Sequence, residues 1–480
     1  MKPQSIPRAP RAVLSTFVCL SLLHCGSSPA GSQAPGDTGE AGAATDSGGG
    51  ANADAPAPDA PAEDSSAADA APPAVDAATD VTVDAGTDGT VDSATPADAV
   101  EDAVSDVVSE PAPLDAAADT ALPWDAAVTG SQHVLASGDY HSCVLKAGHA
   151  YCWGANDVGQ LGNGTLSDAN APVAVTGPGV GLVSLSARFA ATCAVDVNGG
   201  IWCWGGAEVA GPAFNSVTMD PVSVSLPGPA ATVAVGDEFA CALLVDGRVF
   251  CWGVNGWGQF GLPISAGTQP PTLMPLSGPA TDLGAGESFT CVHTASGVAC
   301  MGEDSDGELG DGTLSGGWTV PRPVLQIGTT IATLSVGIYH SCAITTTASA
   351  ACWGLNVSEE VGPSGYGDDD TPYAVPALAA SPVLVGEGGF HTCMLTADSV
   401  LSCWGANYHG ALGRGTDTSQ ELIGPVTSAP QGISDIAPGR YHSCVLEENK
   451  GAWCWGDNAR GQLGVGPNVP FATTPQLVGP

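Results

Sequence analysis

The stretch HSCVLKAGHAYCWGANDVGQLGNGT (141–165) places two cysteines nine residues apart, follows the second with Trp-Gly, and runs on into a series of glycines. The chain writes this pattern repeatedly. Apart from Cys19 and Cys25, its cysteines fall in seven pairs: Cys143 with Cys152, Cys193 with Cys203, Cys241 with Cys251, Cys291 with Cys300, Cys342 with Cys352, Cys393 with Cys403, and Cys444 with Cys454. The first members recur at intervals of 50, 48, 50, 51, 51 and 51 residues. Trp-Gly follows six of the second members, and in the fourth repeat Met301 stands for the Trp while Gly302 remains. Next comes Asn-x-x-Gly-(Gln/Ala)-(Leu/Phe)-Gly, as in NDVGQLG (156–162), NGWGQFG (255–261), NYHGALG (407–413) and NARGQLG (458–464), with Asp304 for Asn in DSDGELG (304–310). Repeats two and five read as having lost this frame, in GAEVAGP (206–212) and NVSEEVG (356–362).

Each unit reads as a β-hairpin. Apolar residues flank a short glycine-containing turn, KAGH in the first repeat and VDGR in the third. If Cys143 faces Cys152, the pairing axis falls between Ala147 and Gly148 and leaves a two-residue turn. For Cys241 and Cys251 the axis falls on Asp246, which predicts a three-residue loop with Gly247 in the left-handed region. Residues directly opposite across an antiparallel pair are close enough for a disulfide. All fourteen cysteines are therefore expected in local disulfides. The rival, a zinc site, would need a second pair of thiolates near each first pair.

The rest of the chain differs in composition. The net charge over 480 residues is −39, and no Lys or Arg lies between Arg11 and Lys146. Residues 26–130 are mostly Ala, Asp, Pro, Gly, Ser, Thr and Val, too poor in large apolar side chains to offset the entropy of ordering, and read as a disordered linker. Lys2, Arg8 and Arg11 precede the apolar run AVLSTFVCLSLLHC (12–25), the order of an export signal over residues 1–25. LLHCGSS (22–28) resembles a bacterial lipoprotein cleavage box that would lipidate Cys25, although His24 stands where a small residue is usual. An ordinary signal peptide with an incidental Cys25 is the alternative. In 131–480 eight basic residues face nearly thirty acidic ones, the wrong balance for binding nucleic acid.

Seven strand-rich units of about 50 residues predict an all-β, seven-bladed propeller over 131–480. TTPQLVGP (473–480) matches the piece that precedes each later hairpin, so the two chain ends are expected to share one blade. The repeated G..HSC.L...G..YCWG.N..GQLG.G is similar to the repeat of the regulator of chromosome condensation family, and looks closest to a bacterial, exported, cysteine-rich branch. The resemblance implies the seven-bladed fold. It also brings two functional precedents: nucleotide exchange on a small nuclear GTPase with docking on nucleosomes, and inhibition of β-lactamases by one propeller face. An export signal and an acidic surface do not suit the first. The second supports a protein-binding role without naming a target.

His141, His340, His391 and His442 stand two residues before a cysteine, where Phe239 and Phe289 stand in repeats three and four, so packing is expected there rather than a metal ring. DSDGELGDG (304–312) resembles a calcium loop only superficially, because it lacks the bidentate acid. Asp368, Asp369 and Asp370 read as a solvated loop. No catalytic constellation, metal set or cofactor motif is visible. The two middle residues of the Asn-x-x-Gly turns vary and include Trp257, Tyr408, His409 and Arg460, which are the expected recognition residues, although unconstrained surface drift would give the same variation. The expectation is a monomeric cell-envelope lipoprotein, anchored at the outer membrane by lipid alone, whose propeller binds a protein or another envelope macromolecule without a cofactor. The alternatives are an enzyme acting on envelope polysaccharide, an exchange-type regulator by family analogy alone, and a purely structural surface protein.

Overall fold

The structure, a computed structural model, describes residues 133–479 except 179–180, 210–216, 364–366, 377, 379 and 449. The expected signal segment, Cys25 and linker lie outside the described residues. Seven four-stranded antiparallel sheets follow one another along the chain as the blades of a propeller. In the first blade β1 (Leu135–Ser137) is innermost, followed outward by β2 (His141–Lys146), β3 (His149–Gly154) and β4 (Ala169–Ala174). The other blades span 182–224, 230–273, 280–323, 331–374, 382–425 and 433–477.

The hairpin register is the one that the cysteines predict. Cys143 pairs with Cys152 and Lys146 with His149, leaving Ala147 and Gly148 as the turn. In the third blade Leu244 and Arg248 close a three-residue loop in which Gly247 has φ 83°. Every expected cysteine pair is a disulfide. Cys143 is bonded to Cys152, Cys193 to Cys203, Cys241 to Cys251 and Cys291 to Cys300. Cys342 is bonded to Cys352, Cys393 to Cys403 and Cys444 to Cys454. All are fully buried, with Cα separations of 4.0–4.2 Å, the close spacing of a non-hydrogen-bonded cross-strand pair.

The glycine two residues after each second cysteine has a structural cause. Gly154, Gly205, Gly253, Gly302, Gly354, Gly405 and Gly456 have φ between 98° and 116°. At Gly154 a Cβ would stand 2.4 Å from the Tyr140 carbonyl oxygen, and at Gly302 2.4 Å from that of Ser288. Glycine therefore persists even where Met301 has replaced the Trp.

The ring closes differently from the sequence expectation. The chain ends do not share a blade. Phe471–Leu477 is the outermost strand of the last blade, paired to Gly451–Asp457, while β1 is the innermost strand of the first. Similar strand sequences at the two ends mark two complete blades, not halves of one. Closure runs through side chains instead. The Asp435 carboxylate accepts the backbone N–H groups of Val134 and Leu135 at 3.0 Å each, and Ser137 donates to the Ala437 carbonyl at 2.8 Å. The Arg440 guanidinium meets Asp139 at 2.8 Å across the same junction.

The recurrent histidines pack between blades. His141 Nε2 bonds Thr192 Oγ1 of the next blade (2.8 Å), His340 bonds Thr392 (2.8 Å), His391 bonds Ser443 (2.7 Å), and His442 bonds Ser142 (2.9 Å). Each hydroxyl also donates to a backbone carbonyl, such as that of Glu360 for Thr392 and Ala411 for Ser443. The hydroxyl proton is thus spent, and the imidazole donates through Nε2–H. Burial holds these rings neutral, with pKa values pushed down to about 3 or 4. Where Phe289 replaces histidine, Ser341 Oγ of the next blade is buried without a partner. Replacing Ser142 with alanine should therefore cost about 1–3 kcal/mol, whereas Ser341→Ala should change stability by less than about 0.5 kcal/mol, as checked by urea unfolding.

Candidate functional site

Antiparallel order brings two sets of turns to one end of every blade: the turn joining the first and second strands, and the Asn-x-x-Gly turn after the third. Together they form one face of the ring. The Asn-x-x-Gly turn is held from inside. Asn156, Asn255, Asn407 and Asn458 are buried, and each side-chain oxygen accepts the backbone N–H five residues on, at 2.8–3.0 Å. Asp304 takes the same role toward Leu309 and accepts from Thr313 and Ser315, which explains its calcium-loop appearance. Repeat five keeps the frame that its sequence seemed to lack. Asn356 accepts from Val361 N–H at 3.0 Å, and Glu359 stands at the glycine position with φ 64°, a left-handed conformation that costs a non-glycine residue energy. Asp369 is likewise not a solvated loop residue. It opens an outer strand, half-buried, and accepts from Asn356 Nδ2 at 2.8 Å.

The residue after the turn glycine caps the turn. Gln160, Gln259 and Gln462 accept the backbone N–H two residues earlier at 2.8–3.0 Å. Glu308 and Glu360 occupy this buried place in blades four and five. Burial raises both carboxyl pKa values, that of Glu360 to about 8.

The structure places the four expected recognition residues on this face. Trp257 and Tyr408 are 46% and 47% exposed, so they are solvent-facing rather than core. His409, with φ 57°, lies 6.0 Å from the Phe471 ring. Arg460 is already engaged, because its guanidinium forks onto Asp168 of the first blade at 2.6 and 2.9 Å. Beside them lies a larger feature that the sequence reading passes over. Tyr140, Tyr339, Phe390 and Tyr441 each stand three residues before the first cysteine of their repeat. Phe390 lies 5.3 Å from Tyr339 and stacks on Tyr441 at 5.8 Å, and Tyr408 meets Tyr441 edge-on at 6.3 Å. Arg440 sits over the Phe390 and Tyr441 rings at 5.9 and 5.7 Å. The same position holds Ala190, Glu238 and Ser288 in blades two to four. One side of the face is therefore an aromatic arc across blades five, six, seven and one. The other carries Asp237, Glu238, Glu287, Glu303 and Asp306. Variation at a fixed offset from the cysteine was the signal available for this arc.

Two profiles of the regulator of chromosome condensation (RCC1) repeat match the chain, one at residues 130–160, 230–259 and 433–462, the other at 147–191, 246–293 and 401–446. Among similar proteins, the mitochondrial RCC1 domain-containing protein RUG3 of Arabidopsis thaliana is 30% identical over 36% of this chain and 40% of its own length. The ultraviolet-B receptor UVR8 of the same plant is 27% identical over 70% of this chain and 79% of its own. The human probable E3 ubiquitin-protein ligase HERC6 is matched over only 18% of its length, at 30% identity. Among solved structures, Prp20p of Saccharomyces cerevisiae aligns with a TM-score of 0.61 at 18% identity, covering 74% of this chain and 90% of that one. Human WBSCR16 aligns at 0.62 and 18%, covering 70% and 94%. These two establish the shared fold.

Glu360 gives a test of the buried turn. The unfolded carboxyl ionises near pH 4.5, whereas the folded one keeps its proton until about pH 8, so stability is lost as pH rises between these values. Glu360→Gln, the residue of three other blades, should raise stability at pH 9 by roughly 2–4 kcal/mol and leave it nearly unchanged at pH 4, as checked by denaturant unfolding at the two pH values. The repeat matches and the blade geometry together make this chain a seven-bladed β-propeller similar to those built from the regulator of chromosome condensation repeat.

Proposed function

We propose that the propeller is a protein-binding module of the cell envelope, which grips its partner with the turn-bearing face. The observation that carries this reading is the aromatic arc with Arg440 and the exposed Trp257 and Tyr408. Aromatics and arginine dominate the energy of protein interfaces. On this face Tyr140, Trp257 and Tyr408 are exposed and Phe390 and Tyr441 half-buried, above a buried Tyr339, so several large rings are available for a partner. His409 adds to the contact, and Arg460 serves as a rim residue whose charge is shared with Asp168. Seven disulfides suit an oxidising, extracytoplasmic compartment. Lipidation at Cys25, with residues 26–130 as a tether and the outer membrane as the site, completes the proposal. The propeller acts as a monomer. Prp20p has been described with its binding properties to Gsp1p and histones, and in complex with Kap60, which gives the fold a precedent for binding proteins.

Trp257→Ala with Tyr408→Ala should leave the Tm within a few degrees of wild type and abolish capture of a specific protein from envelope extract. Unchanged capture, or unfolding of the variant, would refute the assignment of these side chains to the contact. Cys25→Ser should move the protein from the membrane to the soluble fraction, and an unchanged distribution would rule out the anchor.

A further inference from the structure

The innermost strands end, in six blades, at a glycine five residues before the first cysteine: Gly138, Gly236, Gly286, Gly337, Gly388 and Gly439. A Cβ at these places would collide with a neighbour, for example at 2.3 Å with the His141 ring and at 2.0 Å with the Phe239 ring. The second blade alone carries a side chain there, Arg188. It alone also has a small residue, Ala191, where histidine or phenylalanine stands in the others. The next blade follows suit, with Ala240 where the hydroxyl partner of a histidine would be. The absence of a ring at Ala191 thus leaves room for the base of a side chain at 188.

That guanidinium enters the axis of the propeller. Arg188 Nη2 donates to the carbonyls of Ala285 (3.2 Å) and Val336 (2.6 Å), on the inner strands of the fourth and fifth blades. Its Nε is buried without a partner. Among the described residues no carboxylate lies within ion-pair distance of it. Glu387 enters from the sixth blade at an inner-strand position occupied by Ser137, Ala187, Val235, Ala285, Val336 and Pro438 in the others. One of its oxygens accepts from the Ser335 hydroxyl, and the other, Oε1, is buried without a partner. Both residues line one cavity of about 120 Å³ on the axis. Elsewhere in its lining, His133 is already paired with Asp435 at 3.1 Å.

We propose that this axial cavity binds a small carboxylate, of the size of an amino or hydroxy acid, with its carboxylate on Arg188 and its ammonium or hydroxyl on Glu387. A guanidinium cannot shed its proton, so it keeps a positive charge inside the cavity and favours an anion. Its carbonyl ties fix the plane of the fork, so the ligand is met by an oriented donor set. Burial keeps Glu387 protonated up to about pH 8 in the empty cavity, which leaves the Arg188 charge uncompensated at neutral pH; a ligand hydroxyl would accept that proton's hydrogen bond, and a ligand ammonium would take its place by displacing it. The volume admits a molecule of several heavy atoms and no polymer. The site is separate from the aromatic face and does not depend on its role.

Isothermal titration of the full chain with acetate, glycine, lactate and inorganic phosphate tests the assignment. At least one of the carboxylates should bind, with glycine or lactate tighter than acetate. Arg188→Gly restores the residue of the six other blades and is expected to fold. It should weaken binding by at least about tenfold, or about 1.4 kcal/mol. If that variant does not fold, Arg188→Lys keeps the charge, loses the fork and should weaken binding in the same direction. Glu387→Gln should reduce the preference for glycine or lactate over acetate. No heat with any carboxylate at about 10 mM, binding of phosphate alone, or affinity unchanged in the folded Arg188 variant would overturn the proposal.

Discussion

One contact between neighbouring blades organises the molecule: an indole of one blade laid against the glycine turn of the blade before it. Trp153 donates its Nε1–H to the Gln462 carbonyl at 2.9 Å, Trp204 to Gln160 at 2.9 Å, Trp353 to Glu308 at 3.0 Å, and Trp455 to Ala411 at 2.8 Å. In these four pairs the last glycine of the turn lies flat on the same ring. A Cβ at Gly162, Gly310, Gly413 or Gly464 would come within 2.6–2.9 Å of the indole. These rings are fully buried, and truncating such a side chain typically costs about 3–5 kcal/mol. The most repetitive letters of the sequence, the Trp-Gly and the final glycine of the turn, are thus two halves of one interface separated by most of a repeat. The disulfide beside each indole clamps the hairpin that carries it.

This division of labour explains what can be read from the sequence alone. Hairpin register, cysteine pairing and blade number depend on local spacing, and local spacing is written in the chain. Closure is not legible in the same way, because the first and last blades have similar strands, and similarity does not say whether two strands belong to one sheet. The junction of the first and last blades repeats contacts made between other blades, Trp153 to the Gln462 carbonyl and His442 to Ser142, and adds Ser137 and the Arg440–Asp139 pair, none of which says from sequence where the ring closes. Blade five hides its turn from the motif because it keeps the Asn356 bonds while accepting Glu359 in a left-handed conformation where the motif expects glycine. Trp257 and Tyr408 are legible because they vary inside a fixed frame. The aromatic arc escapes the sequence reading because it lies outside that frame, on the turn before the cysteine.

The departures from the repeat are grouped rather than scattered. Blades five, six, seven and one supply the aromatic side of the turn face. Blades two and three lose a histidine and a hydroxyl together, and gain Arg188 in the axis. A propeller held by backbone carbonyls, indoles and glycines leaves its turn tips and inner-strand ends free to differ. Acidic residues at the tips of blades three and four keep that side of the face strongly hydrated. The framework and the surfaces proposed to act on other molecules therefore occupy different positions of the same repeat.

The central claim is that each indole stabilises the blade before its own. Hydrogen exchange measured by mass spectrometry on a Trp204→Phe variant addresses it directly. Loss of the bond to Gln160 and of one ring of the indole should speed exchange in the turn 156–162 of the first blade as well as in strands 191–205 of the second. Faster exchange confined to 191–205, with the first blade as protected as in the unaltered protein, would contradict it.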